Sequence, residues 1–220
     1  MAQSIPLAYS YSHYSFPETP GGDDGFLAIG GDLSPACLIK AYSSGIFPWY
    51  NPGEIIRWYC PRERFVIFPQ EIHVSRSTRK ALNKNDFDVK INSNFPAVIR
   101  NCRIQREGHT WIGDDCERAF NLLFRLGYAI SVEVYDFIGL VGGLYGVVLG
   151  KCFFGESMFS KKANASKIAL VSLSKKLADE GFVFIDCQFH TNFLEQMGGR
   201  YITWEEYKAL LTKGIGHVFT

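Results

Sequence analysis

The chain lacks any run of about 18 apolar residues, so no membrane-spanning helix is expected. Its first twenty residues, MAQSIPLAYSYSHYSFPETP, have neither a basic start nor an apolar centre, and no secretory signal is expected. There is no G-x-x-x-x-G-K-[ST], no G-x-G-x-x-G and no G-x-S-x-G, which removes the sequence grounds for a P-loop, a dinucleotide fold or a hydrolase elbow. The five histidines (His13, His73, His109, His190 and His217) have no zinc-binding spacing, so neither a metal nor a cofactor is expected. The six cysteines (Cys37, Cys60, Cys102, Cys116, Cys152 and Cys187) are scattered, with no C-x-x-C pair. They read as reduced thiols in the core of a cytoplasmic protein.

What is present is a chain of 220 residues, 47% hydrophobic, with 18 Phe and 11 Tyr, enough to bury a real core. The net charge of +1 conceals an uneven distribution. Residues 1–56 contain a single Lys, whereas 57–107 contain eleven Lys and Arg against five acids. A basic middle third in a near-neutral chain predicts a local surface facing a polyanion.

The grammar changes near residue 62. Residues 1–62 are rich in Gly, Pro, Tyr and Ser and read as a small loop-rich N-terminal domain with one helix, Ser34-Pro35 supplying an N-cap and a proline at the first turn. Residues 63–220 read as a second, catalytic domain. In it, helices are predicted over 75–84, 95–104, 114–126, 165–180 and 203–212, and strands over 64–69, 87–91, 129–135, 138–149, 152–159 and 182–188. The order of helix, three strands, helix, strand predicts an α/β fold: a mixed sheet with helices on its faces.

Two of these strands carry a carboxylate where a core strand would carry Val or Leu. They are Gly155-Glu156-Ser157-Met158-Phe159-Ser160 and Phe184-Ile185-Asp186-Cys187-Gln188. A buried carboxylate is costly unless it is paired or used. Glu156 alone reads equally as a strand-edge residue facing solvent. Asp186, with Gln188 beyond it, lies at the carboxyl end of a strand that is apolar on both faces, where open sheets build their sites. His190, close by, is a further candidate base.

Trp49 lies in the proline-stiffened Phe47-Pro48-Trp49-Tyr50-Asn51-Pro52-Gly53, and Trp111 in a second loop. Held rigidly, each suits stacking on a nucleobase, worth about 1–3 kcal/mol, or sealing a domain seam. Arg76, Arg79, Lys80 and Lys84 fall at i, i+3, i+4 and i+8 and form one helical stripe. Such a stripe is either a solvated face or a track for a phosphate backbone.

The motifs GGDLS (30–34), GIFPWYNPGE (45–54), TWI (110–112), VGGLYGV (141–147), GESMFS (155–160), NASK (164–167) and IDCQ (185–188) together closely resemble the leucyl/phenylalanyl-tRNA–protein transferases. The resemblance implies an acetyltransferase-like (GNAT-like) second domain. It also implies transfer of Leu or Phe from charged tRNA to acceptor proteins with N-terminal Lys or Arg, marking them for degradation. Asp186 and Gln188 would act on the acceptor amine with Glu156 beside them, and Trp49 and Trp111 would hold the terminal adenosine. An activated ester needs neither ATP nor metal to form an amide. Asp186 is therefore expected to take or relay the amine proton, with Gln188 orienting the amine. The amino-acid side chain would enter an apolar pocket of Leu144, Met158 and Ile185, where Met also fits. Two rivals are weighed: a coenzyme-A-dependent N-acetyltransferase, whose glycine-bearing pyrophosphate loop is missing from residues 159–167, and a non-catalytic RNA-binding module, which gives the two carboxylates no purpose.

Overall fold

The computed structural model describes residues 14–17, 20–84, 86–105 and 110–216. Strand β1 (Phe26–Ile29), helix α1 (Pro35–Ser43) and strands β2 (Phe47–Pro48) and β3 (Arg57–Tyr59) come first. The strands form a small antiparallel sheet ordered β1-β3-β2. This sheet was not legible in the sequence, because strands of two to four residues between turns leave no periodicity to read. Helix α1 begins where its cap predicted, with the Ser34 hydroxyl accepting the Cys37 amide N–H at 3.3 Å.

The chain continues through β4 (Glu63–Ile67), a 3-10 turn (Pro69–Glu71), α2 (Arg76–Asn83), β5 (Asp88–Ile91), α3 (Phe95–Gln105) and α4 (Asp114–Arg125). Strands β6 (Ala129–Tyr135), β7 (Leu140–Leu149) and β8 (Cys152–Ser160) follow, then α5 (Ala165–Asp179) and β9 (Phe184–Gln188). The short α6 (Asn192–Gln196), β10 (Arg200–Thr203) and α7 (Trp204–Ile215) complete it. The large sheet is ordered β10-β4-β9-β8-β7-β6-β5. Its neighbours are antiparallel except β8 and β9, which run parallel because α5 carries the chain back between them. The fold is thus mixed α/β, with helices on both faces of the sheet.

Each face of the sheet has its own core. Tyr145, Val147 and Leu149 of β7 point into one core, packed with α1, α3, α4 and α7. Val141 and Leu144 point into the other, packed with α5, and Ala81 and Leu82 of α2 lie against it. Close contact with α5 requires glycine in β7: a Cβ at Gly142 would fall 2.5 Å from that of Ala165. Asn164 stands before α5, as the sequence suggested, but with φ of 69° and no capping bond from its side chain. The Ser160 hydroxyl instead accepts the Ser166 amide, at 3.3 Å. Cys37, Cys60, Cys102, Cys116 and Cys152 are buried, and Cys187 is half-buried. No helix among the described residues is long and apolar enough to cross a membrane.

Candidate active site

Strands β8 and β9 pair only as far as Phe154 and Asp186, although β8 runs on to Ser160 and β9 to Gln188. Beyond that point they part, and a crevice opens between their carboxyl ends. Two irregularities aim side chains into it. In β8, Gly155 faces Gly146 and Ser157 faces Tyr145, which leaves Glu156 as the extra residue of a bulge. The bulge depends on Gly146, where a Cβ would meet the Phe154 carbonyl oxygen at 2.2 Å. At the end of β9, Gln188 adopts φ of 65°. The Cys187 carbonyl accepts the Phe189 amide at 2.8 Å, closing a tight γ-turn around it. A left-handed Gln costs about 1–3 kcal/mol and persists only where its surroundings impose it.

The two irregular residues meet. The Gln188 side-chain amide donates to Glu156 Oε1 at 3.4 Å, and the Tyr42 hydroxyl of α1 donates to the same oxygen at 2.5 Å. Burial raises the Glu156 carboxyl to about 8; the bond from Tyr42 opposes this and the negative charge of Asp186 adds to it. Burial also raises the Tyr42 phenol well above its ordinary value, so it stays a donor.

Asp186 lies behind the crevice wall, 1% exposed. Its Oδ1 accepts the Gln188 backbone amide at 2.8 Å and its Oδ2 the Tyr207 hydroxyl at 2.7 Å, while Arg64 Nε approaches Oδ2 to 3.3 Å. Arg64 is equally buried, lying between the rings of Phe47 and Tyr207 at 4.9 and 4.5 Å, and it donates to the Gly45 carbonyl. Burial pushes the Asp186 carboxyl upward, while Arg64, Tyr207 and the Gln188 amide pull it down. Burial disfavours the Arg64 charge, but Asp186 more than offsets this and raises its pKa.

A cavity of about 440 Å³ fills the crevice and touches both cores. On the side of the small sheet it is lined by Phe47, Trp49, Trp111 and Phe189, and on the side of α5 by Leu144, Phe153, Met158, Leu170 and Ile185. Glu156 and Gln188 stand in its wall. Trp49 is 47% exposed and its ring leans on Phe189 at 5.1 Å. Its loop is pinned by the Trp49 amide donating to the Arg57 carbonyl at 2.9 Å, and by the neighbouring Tyr50 hydroxyl donating to Asp115 of α4 at 2.5 Å. Among the described residues, no cluster of His, Cys, Asp and Glu is placed to hold a metal ion.

The sequence model of the leucyl/phenylalanyl-tRNA protein transferases matches residues 66–212, and that of their N-terminal domain matches residues 31–62. The chain belongs to the leucyl/phenylalanyl-tRNA protein transferase family. The leucyl/phenylalanyl-tRNA–protein transferase of Syntrophus aciditrophicus is 53% identical over 197 residues, 88% of this chain and 82% of its own length. That of Nitrosomonas europaea is 48% identical over 86% of this chain and 81% of its own, and that of Flavobacterium johnsoniae 48% over 93% and 99%. Among solved structures, L-PGS from Bacillus licheniformis aligns with a TM-score of 0.44 at 12% identity, over 70% of this chain and 65% of its own, too low to carry an inference. Family membership sets aside the coenzyme-A and RNA-module readings.

Within this transferase, the residues singled out from the sequence fall in different places. Trp49, Trp111, Leu144, Met158, Ile185, Glu156 and Gln188 all line one cavity. Asp186 does not: it is one layer behind, its oxygens bonded to Tyr207, Arg64 and the Gln188 amide, so the expectation that it meets the amine directly is corrected. Arg76, Arg79, Lys80 and Lys84 are exposed, on α2 and its C-cap, on the α5 side of the sheet. His190 faces away, its Nε2 3.0 Å from Glu195 and its ring against Phe65. His109 lies outside the described residues. Sequence reasoning missed Phe189, Thr191, Phe193 and Leu194, which complete the cavity. Thr191 caps the Leu194 amide, a Thr-x-x cap that marks the start of α6. Arg64, Tyr42 and Tyr207 carried no local signal at all.

Proposed function

We propose that the chain transfers Leu or Phe from charged tRNA to the α-amine of acceptor proteins beginning with Lys or Arg, marking them for degradation. One observation carries the reading: a single cavity joins two tryptophans to an apolar pocket, with a carboxyl and an amide at the junction. The terminal adenosine stacks on Trp49 and Trp111, and the Leu or Phe side chain passes between β8 and β9 to Leu144, Met158 and Ile185. This puts the ester carbonyl beside Glu156 and Gln188. The incoming amine attacks that carbonyl carbon, a C–N bond forms, and the C–O bond to the ribose breaks. The amine gives up a proton and the departing ribose oxygen gains one.

A free α-amine has an ordinary pKa of about 7.7–8.0, so a carboxyl at about 8 is matched to accepting its proton. Glu156 is assigned that role, Gln188 orients the amine, and Asp186 holds Gln188 in its turn. Holding the two substrates in register contributes more than the proton transfer, because effective molarities far exceed a base's roughly 10²–10⁴-fold. The exposed stripe of Arg76, Arg79, Lys80 and Lys84 takes tRNA phosphates away from the cavity. The parting of β8 and β9 supports an acetyltransferase-like fold for residues 63–220, behind a small domain ending near residue 62. Dependence on charged tRNA implies action in the cytoplasm.

The test is direct: mix the protein with labelled Leu-tRNA and a peptide beginning with Arg. Label should appear in the peptide and not in one whose α-amine is acetylated. No transfer would refute the reading.

A further inference from the structure

The two tryptophans sit on one face of the large sheet and the α2 stripe on the other, which leaves the stripe on the far side from the nucleotide end of the cavity. The tryptophan face has a basic surface of its own. Helices α3 and α4 pack side by side and leave an open groove of about 900 Å³ between them. Arg100 and Arg103 line it from α3, Arg118 and Arg125 from α4. Two acids also line it: Arg103 bonds Asp114 and Glu117, and Arg100 lies 3.7 Å from Glu117. The other two arginines are exposed and lie in no close ion pair among the described residues, although the charge of Arg118 acts on Asp114 one turn away. They are seven apart, two turns along the same side of α4. The loop joining the two helices carries Trp111, and the first turn of α4 holds the Trp49 loop through Asp115 and Tyr50. The groove therefore starts at the adenine end of the cavity and runs outward along α4, about 18 Å for its twelve residues.

We propose that the α3–α4 groove is a second RNA-binding surface, taking the phosphate backbone of the donor tRNA's acceptor arm next to the terminal nucleotide, with Arg118 and Arg125 as its principal contacts. This rests on the reading that the cavity holds the tRNA's aminoacylated end, and adds to it a contact on the tryptophan face. Arginine's planar fork suits a phosphate better than a point charge does. The two acids neutralise the end nearest the cavity and leave the outer end positive. The groove and the α2 stripe grip one tRNA from opposite faces of the sheet.

The experiment measures Leu-tRNA binding by Arg118→Ala/Arg125→Ala protein between about 50 and 300 mM salt, with circular dichroism to confirm the fold. Affinity at low salt should fall roughly ten-fold, and the slope of log K against log salt should shrink by about 1–2. Lysine at both positions should recover most of the slope, and Arg125→Glu alone should weaken binding further than Arg125→Ala. Combined with Ala at Arg76, Arg79 and Lys80 of α2, the changes in slope should add, as expected of separate contacts. Unchanged affinity and slope overturn the proposal, as does a defect confined to the KM of the acceptor peptide. Failure of the unmodified protein to transfer Leu would strike at the cavity reading instead, which these binding measurements do not touch.

Discussion

The Tyr42 hydroxyl donates to Glu156 Oε1 at 2.5 Å across 114 residues of chain, tying the first helix to the bulge in β8. Glu156 is held near 8 by burial, and this bond keeps it from rising further. Below that pH the carboxyl is protonated and cannot accept a proton, so kcat/KM should climb with pH through about 8. Tyr42→Phe should move the inflection to higher pH and lower kcat/KM at neutral pH by roughly 3–10-fold. Glu156→Gln should leave only the inflection of the acceptor's own α-amine, and an acceptor whose α-amine titrates lower should then show none near 8. A pH–rate profile unchanged in both variants would dismiss Glu156 as the base.

The same carboxyl makes stability depend on pH. Its folded value lies above the ordinary 4.5, so the folded state binds the proton more tightly than the unfolded chain. Its contribution to stability is therefore largest at low pH and is lost as pH rises from about 4.5 to about 8. Glu156→Gln should flatten this part of a plot of melting temperature against pH.

Asp186→Asn should leave the buried Arg64 without its counter-charge and cost about 3–5 kcal/mol, read as a lowered denaturation midpoint. Replacing both partners, Arg64→Met with Asp186→Leu, should recover much of that stability. Transfer should stay depressed in the double variant, because the Gln188 amide still lacks its acceptor. Full activity there would show that Asp186 matters for folding alone.

Gln188→Gly should raise stability slightly, by up to about 1 kcal/mol, because glycine adopts φ of 65° without strain. Its transfer rate should nonetheless fall, with kcat affected more than the KM for charged tRNA. A Gln188→Val protein should be destabilised instead, since a β-branched side chain resists that conformation. Equal stability of the two would argue against an imposed turn.

Substituting Ala for Arg76, Arg79 and Lys80 should weaken charged-tRNA binding and reduce its salt slope by about 2–3. The rate at saturating tRNA should hold, since none of the three lines the cavity. Binding that stays equally steep in salt would make the stripe a solvated face.

Much of this architecture can be read from the chain, for a physical reason. Strand β6 alternates cleanly and was delimited to the residue, and α4 and α5 end at glycines that mark their C-termini. Leu144, Met158 and Ile185 were legible as cavity members because they belong to apolar strands. What escaped depends on distant pairing or on very short elements. Arg64 reads as an ordinary charged residue at a strand edge, and nothing local says that Asp186 will cover it from β9. Nor does any neighbour of Gln188 announce a left-handed backbone, which the γ-turn imposes at the end of β9. Phe193 and Leu194 sit on a five-residue helix, too short to display a periodic stripe.

Because the cavity threads from one packed layer of the protein to the other, the proposed nucleotide grip and the proposed amino-acid pocket belong to different halves of the interior. Substitutions that resize the pocket around Leu144 and Leu170 disturb packing against α5 and leave the tryptophan loops on their separate foundation. On the proposed reading, choice of cargo is retuned by repacking one layer, while the handle that every cargo shares stays as it is.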